Sequence, residues 1–502
     1  MKNYLFLILL CFLLLCSISV ISAENKDDTI ITDSLNHDVN SINIETRSMK
    51  SDNSIIQSNE NNSKDSKTTN NENPNLSKNN DKINGNSYKK TISNKKSTIS
   101  SKCKSTSVNK KSSTYTFKDL YKLINSGKKS LKLTKNCIYN PKTDSGFKTG
   151  VRITKNIIID GCGHYISGQG LVKCIRICPK LKVTIKNLNI YNGYAKSDGA
   201  GIFLGEKSSL ILKNCKLRNH KVYNANGAAV YCYKGSSFKA VNCFFKNNTS
   251  IRVSKKPWEK FKRGMGSVLK SAIGAEVLFS HCNFTKNKAY MSTILVVSYS
   301  EGSRKTSNLH INKCIFANNT STKCGVIYSD ELGKAFITNS VFKENYSKKH
   351  SGVISLDSSL YALVQNCLFQ SNQGYNGGAI TVRVFDPKYK SHVKILKCKF
   401  LDNLAKTDGG AICSVYGIVM VKNCYFSKNH AKRYGGAIYA RDTKISTYFS
   451  ELLENKAKSG GACYLLSKKP YFSRCAFYKN SAGEKTKNVY SKYKVKYYKC
   501  KF

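Results

Sequence analysis

One short segment gathers the side chains with which a protein grips an acidic polymer. Lys255-Lys-Pro-Trp-Glu-Lys-Phe-Lys-Arg263 holds the single tryptophan of the chain, Trp258, beside Phe261 and the basic residues Lys255, Lys256, Lys260, Lys262 and Arg263. An aromatic plane edged by cations suits an acidic saccharide or another polyanion, through cation–π attraction and Coulomb steering. The alternative for Trp258 is packing against the flank of the fold. Two further stretches carry a similar mixture. Tyr299 to Asn308 contains Arg304 and Lys305, and Val384 to His392 contains Asp386, Lys388, Tyr389 and Lys390.

Catalytic and metal-binding arrangements are harder to find. Hydrolysis of a glycosidic bond needs two carboxylates about 5–9.5 Å apart, and a lyase typically needs an acidic calcium cluster near Arg or Lys. Asp and Glu total 30 against 83 Lys and Arg, the eight His are scattered, and no register is apparent in which acids recur on neighbouring repeats. Asp402 and Asp408 flank a single turn, where Asp408 is expected to serve the Gly409-Gly410 bend. Cys174 and Cys178 lack the short knuckle spacing of a zinc site and a second pair. No catalytic residue, metal or cofactor is therefore expected. A polysaccharide lyase or glycoside hydrolase remains the alternative, since solenoid scaffolds host such enzymes.

The whole chain shares the basic character of these segments, with a formal net charge of +53 over 502 residues. Such a charge draws polyanions: acidic glycans, wall polymers, anionic lipid or nucleic acid. The abundance of Lys, Asn, Ser and Tyr also fits codon bias, so charge alone names no partner. At the amino terminus, Met1-Lys2-Asn3 precedes an apolar run from Tyr4 to Cys16, and small residues lead to Ala23. This reads as a signal peptide, residues 1–23, with an uncleaved anchor as the alternative. Either form places the protein outside the cell, secreted or at the surface, touching membrane only through this segment. Residues 24–112 are dominated by Asn, Ser, Lys, Asp and Thr. They offer too little apolar surface to offset ordering entropy and read as a disordered spacer, with sequons at Asn61 and Asn75.

From residue 113 to 502 the pattern changes. Thr116-Phe-Lys-Asp119 reads as a capping box opening a helix with Phe117, Leu120, Leu123 and Ile124 on one face and Gly127 at its end. A terminal lid of this kind covers the open core and strand edges of a solenoid. Repeats follow, exemplified by Lys422 to Ala440, where Cys424, Phe426 and Asn429 precede Gly435-Gly-Ala-Ile438. The cysteine-register positions are Cys215, Cys243, Cys282, Cys314, Ser340, Cys367, Cys398, Cys424, Ser450, Cys475 and Cys500, at steps of 28, 39, 32, 26, 27, 31, 26, 26, 25 and 25. Two residues on stand Phe245, Phe284, Phe316, Phe342, Phe369, Phe400, Phe426 and Phe477, with Leu217 and Leu452 in the same register. Three further on stand Asn248, Asn287, Asn319, Asn345, Asn372, Asn403, Asn429, Asn455 and Asn480, with His220 at the first such position.

A unit of about 25 residues rich in β-branched residues and Gly or Asn turns predicts one coil of a right-handed parallel β-helix. The fold class is thus all-β. Stacking at about 4.8 Å places like on like: Phe as an internal aromatic ladder, Asn as a turn ladder and Cys as small core side chains. In-register thiols would keep their Cβ atoms about 4.8 Å apart, beyond the range of about 3.5–4.5 Å for disulfides. Internal Asn248, Asn319 and Asn345 should stay unglycosylated although each opens a sequon, whereas Asn247 and Asn318 face outward.

Phe-X-X-Asn alternating with Gly-Gly-Ala-Ile resembles the repeat of chlamydial polymorphic outer-membrane proteins. The layout of leader, spacer, Lys155-Asn-Ile-Ile-Ile-Asp-Gly-Cys-Gly-His164 and coils is similar to the adhesin-like surface proteins of methanogenic archaea. The resemblance covers about Ser113 to Phe502. It implies a pectin lyase-like scaffold and a non-catalytic role at the cell surface, with glycans, wall polymers or a neighbouring cell as partners and no specific nucleic acid. A purely structural wall component is a further alternative. Ligand contacts are expected where coils exceed the minimum length, because insertions leave a solenoid core intact. The segment carrying Trp258 is one such insertion. The segments carrying Arg304 and Tyr389 are two more, lying at one turn three coils apart, or about 14 Å.

Overall fold

The computed structural model describes residues 113–253, 264–297, 306–331, 333–349, 352–384, 391–483 and 488–502. The first ordered element is helix α1, Phe117–Ile124, which buries Phe117, Leu120 and Ile124. Its capping box is complete. Thr116 Oγ1 accepts from the Asp119 N–H at 3.1 Å, and the Thr116 N–H donates to Asp119 Oδ2 at 3.0 Å. A second anchor comes from Asp144, a fully buried carboxylate that accepts from the N–H groups of Phe117, Lys118 and Asn140 at 2.8–3.0 Å. The exposed donors of the first helical turn are thereby satisfied. The helix packs into the same core as Leu131, Leu133, Cys137 and Val151, closing the amino-terminal end of that core. Among the described residues no helix is long and apolar enough to cross a membrane.

Beyond α1 the chain winds as a parallel β-helix. One sheet has thirteen strands and carries the Phe register, from Cys137–Ile138 to Ala476–Tyr478. A second has eleven very short strands, from Tyr194–Ala195 to Ser481–Ala482. The third has twenty-five strands, because each coil contributes two strands end to end: a glycine strand, so called because it follows a Gly pair at Gly377, Gly409, Gly435 and Gly460, and a second strand that leads to the Cys. In two coils these fuse into single eleven-residue strands, Ile412–Lys422 and Ile438–Tyr448. All pairings among the described strands are parallel, and in the Phe register like meets like, as in Phe316↔Phe342↔Phe369.

Local chemistry makes the corners. In the coil of Cys424, the residues before the Cys and before the ladder Asn, Asn423 and Lys428, both have φ of +55°. Asn supplies that left-handed conformation at many of the equivalent corners because its short amide tolerates it. The glycine pair divides its labour. Gly435 has φ of +67°, whereas Gly436 has no room for a side chain. A Cβ there would lie 2.6 Å from the Lys456 nitrogen and closer still to the Gly461 carbonyl. The first glycine is needed for backbone conformation and the second for close approach of neighbouring coils.

The ladders run inside. From Phe245 to Phe426 successive rings stack with centroids 4.2–5.1 Å apart and planes within 10°. Burying each ring contributes about 1.5–3 kcal/mol. From Asn287 to Asn455 each Asn uses its full hydrogen-bonding capacity. Asn345 Nδ2, for example, donates to Asn372 Oδ1 at 3.0 Å and to the Phe316 carbonyl at 2.9 Å, while its Oδ1 accepts from the Nδ2 and backbone N–H of Asn319 at 3.0 Å each. His220 opens the row with an imidazole doing the work of an amide. Nδ1 accepts from the Gly193 N–H at 3.0 Å, and Nε2 faces the Ile190 carbonyl at 3.0 Å. Complete burial pushes this imidazole down to about 3, so it is neutral. The overlapping sequons separate on the same basis: Asn247 and Asn318 are exposed, whereas Asn248, Asn319 and Asn345 are buried in the ladder.

The Cys register from Cys215 to Cys475 is buried throughout, and the described cysteines are unbridged thiols. Burial pushes Cys398 and Cys424 well above the ordinary thiol range. Where Ser replaces Cys the geometry persists. Cys282 Sγ donates to the carbonyl two residues back at 3.2 Å, and Ser340 Oγ makes the equivalent bond at 2.6 Å.

Candidate functional site

The inner ladders use their polar atoms within the fold, so binding must lie on outward positions. All twelve residues singled out in the insertions lie outside the described residues: Lys255, Lys256, Trp258, Lys260, Phe261, Lys262 and Arg263, then Arg304 and Lys305, then Lys388, Tyr389 and Lys390. The strands that lead into the second and third insertions are in register through Val297↔Asp330↔Asp357↔Arg383, which fixes the three-coil separation. The first insertion is followed by the strand Leu269–Ser271.

That strand belongs to an outward row which the Cys, Phe and Asn registers do not reveal. On successive glycine strands Ile175, Ile202, Val230 and Leu269 point into the core. Alternation then turns their neighbours outward, in the register Arg176↔Phe203↔Tyr231↔Lys270. Phe203 and Tyr231 stack at 5.5 Å with an 18° interplanar angle. The Arg176 guanidinium lies 5.0 Å and the Lys173 ammonium 5.5 Å from the Phe203 ring centre, and the Lys270 ammonium lies 5.3 Å from that of Tyr231. Lys173 also donates to the Asp198 carbonyl at 2.6 Å. The Asp198 carboxylate accepts from the Asn226 N–H at 2.8 Å.

Among the described residues charge in this cluster is unbalanced, with three cations around one carboxylate. Burial pushes the Lys173 ammonium down to about 8 and lowers Lys270 as well, partly offset in both by Asp198. Burial also raises the Tyr231 phenol far above its ordinary value. Cations that have lost water without gaining full counter-charge gain from an arriving anion, and the flanking rings offer a stacking surface. The signal in the sequence is the position four residues after a left-handed glycine, Gly199, Gly227 or Gly266, with Arg176 joining the row although no glycine stands at the equivalent place before it.

Farther along, the same strands overturn one expectation. Acidic residues do recur on adjacent coils: Asp330 and Asp357 are register partners, followed in register by Arg383. Asp357 is fully buried, held by Arg383 at 3.2 and 2.6 Å and by Ser355 Oγ at 2.8 Å. Asp330 has no such fork. Burial, and then the charges of Asp357 and Glu331, push its carboxyl up to about 6. The acids escape notice in the sequence because they stand three residues after Ile327 and Ile354, outside the Cys, Phe and Asn registers. Asp408 differs from expectation too. Its carboxylate is forked by Arg433 of the next coil at 3.1 and 2.6 Å, and only its carbonyl serves a glycine, Gly377. Arginine competes better for a buried carboxylate than a backbone turn does.

A family model described as "Right handed beta helix region" matches residues 173–348 and 304–452, a span that includes the basic row and the acid register. Its right-handed coil, with the parallel sheets and inner ladders, fits a pectin lyase-like scaffold. No curated protein matches the chain.

Proposed function

Because the chain belongs to the family of right-handed β-helix regions, we propose that it works as an exported, adhesin-like, non-catalytic rod that binds acidic glycans or wall polymers at the cell surface. The observation that carries this reading is the row Arg176, Phe203, Tyr231 and Lys270. It sets cations beside stacked rings at the coil spacing, in a cluster short of negative charge. The leader at residues 1–23 supports export, and the net charge of +53 supports capture of polyanions over long range. The basic residues of the insertions around Trp258, Arg304 and Tyr389 add to that charge.

The test uses dextran, carboxymethyl-dextran and dextran sulfate, which share a backbone and differ in charge. Binding to the charged polymers and not to dextran is expected. The double substitution Arg176→Ala with Lys270→Ala should weaken it about tenfold, the loss of about 1.4 kcal/mol of contact. Part of the affinity should survive a rise in ionic strength from about 0.01 M to about 0.15 M, where the Debye length shortens from about 30 Å to about 8 Å. Affinity that vanishes with salt and ignores the double variant would point instead to a structural wall component held by diffuse charge. Release of reducing or unsaturated ends from the polymer would overturn the non-catalytic assignment.

A further inference from the structure

A second cationic position stands on a different sheet. In the Phe sheet Leu217 points into the core and Arg218 points out, between Tyr191 of the preceding coil and Phe244 of the following one. The Arg218 guanidinium carbon is 5.9 Å from the Tyr191 ring centre and 5.1 Å from that of Phe244. Tyr191 is itself backed by Tyr165, stacked at 5.9 Å. Arg218 Nε is buried and makes no hydrogen bond. Its register partner is another cation, Lys246, and Lys216 shares its strand. The strands Tyr165–Ser167, Asn189–Tyr191, Lys216–Arg218, Phe244–Lys246 and Asn283–Thr285 contain no acidic residue.

Two other outward arginines show what this environment lacks. Arg383 is forked onto Asp357 and Arg433 onto Asp408. Arg218 has rings on both sides, a like charge opposite, and no ion pair with any described carboxylate. Directly opposed like charges destabilise a sheet, and a guanidinium flanked by two rings has lost much of its water. What the rings leave is the edge of a planar fork, with orientation fixed in advance, and that edge matches an oxyanion bidentately.

We infer that Arg218, flanked by Tyr191 and Phe244, is a second oxyanion-binding position, taking a carboxylate or sulfate ester of an acidic polysaccharide. It lies on a sheet other than the one carrying Arg176 and Lys270, so a single rod engages two polymer chains and bridges them. This rests on the polyanion reading above and adds cross-linking to binding.

The experiment compares two readouts on the full chain: affinity for immobilised carboxymethyl-dextran or dextran sulfate, and light scattering when protein is added to the same polymer in solution. Wild type should bind and raise scattering. Arg218→Ala should weaken the bridging contact about tenfold, the worth of one charge-assisted fork, and so lower scattering, while affinity for the immobilised polymer falls no more than about twofold. Tyr191→Leu, which keeps every charge and removes one wall, should also lower scattering. Unchanged scattering in both variants overturns the inference, as does binding by wild type without any rise in scattering. Absence of binding by wild type overturns the polyanion reading itself. Whichever charged polymer is clustered more strongly identifies the group that Arg218 reads.

Discussion

Two registers run through the same coils with opposite logic. The inner asparagine ladder repeats one residue, and from Asn287 to Asn455 every amide valence is taken by the coil before or after. The outer row of the glycine strands changes residue from coil to coil until Tyr439, Tyr464 and Tyr490 stack near its end. It passes from Arg176 through Phe203, Tyr231 and Lys270 to Leu295, Tyr328 and Ser355. Identity from coil to coil is what stacking demands, since each side chain must satisfy a copy of itself. Variation, with charges left over, is what a solenoid can tolerate only where its own packing asks for nothing. The comparison thus assigns stability to the inner register and leaves the outer one free to vary.

The largest effect should come from breaking the inner register. Asn372→Ala removes the acceptor of Asn345 Nδ2 and N–H and the donor to Asn403 Oδ1 and the Phe342 carbonyl. Several buried groups lose partners at once, a loss of about 3–5 kcal/mol that urea unfolding would measure. A cost below about 1 kcal/mol would show that the ladder is replaceable packing.

A smaller effect separates the two registers by the sign of their pH dependence. His220, inside, has a folded-state value of about 3 against an ordinary 6.5. The unfolded chain therefore binds the proton first, and His220 should withdraw stability, on the order of a few kcal/mol, as pH falls from 6.5 toward about 3. Asp330, outside, is raised to about 6 from 3.8. Its protonated form is favoured by folding, so its contribution is complete below 3.8 and is lost as pH rises through about 6. His220→Asn should extend the ladder by one amide and flatten the acid limb. Asp330→Asn should flatten the opposite slope. Stability curves against pH that keep both slopes in the respective variants would refute these assignments.

The inner register is legible in the sequence and the outer one is not, for physical reasons. Stacked Phe and Asn recur because a copy of each lies one coil away, so spacing alone predicts the fold, the buried ladders and the exclusion of Asn248 from modification. The lid helix is legible because its capping box is local, whereas Asp144 reaches Phe117 only through the winding of the chain. Coil steps of 25 to 39 residues shift every outward position relative to its neighbours, so Arg176, Phe203, Tyr231 and Lys270 align only after the glycine strands are paired. Asp330 and Asp357 hide in the same way.

The smallest effect carries the sharpest distinction. Lys270 surrenders hydration without a direct ion pair among the described residues, since Asp198 only partly offsets its burial. Replacing it with Met keeps the stem against Tyr231 and discards the uncompensated charge. If the outer row exists for a ligand, Lys270→Met should raise stability slightly, by about 0.5–1 kcal/mol, while lowering affinity for a charged polymer. Removal of a residue that serves the fold cannot do this, as Asn372→Ala loses stability at once. A Lys270→Met variant less stable than wild type in urea would mean that the ammonium is already satisfied within the rod, and the outer row would then be read, like the inner one, as structure.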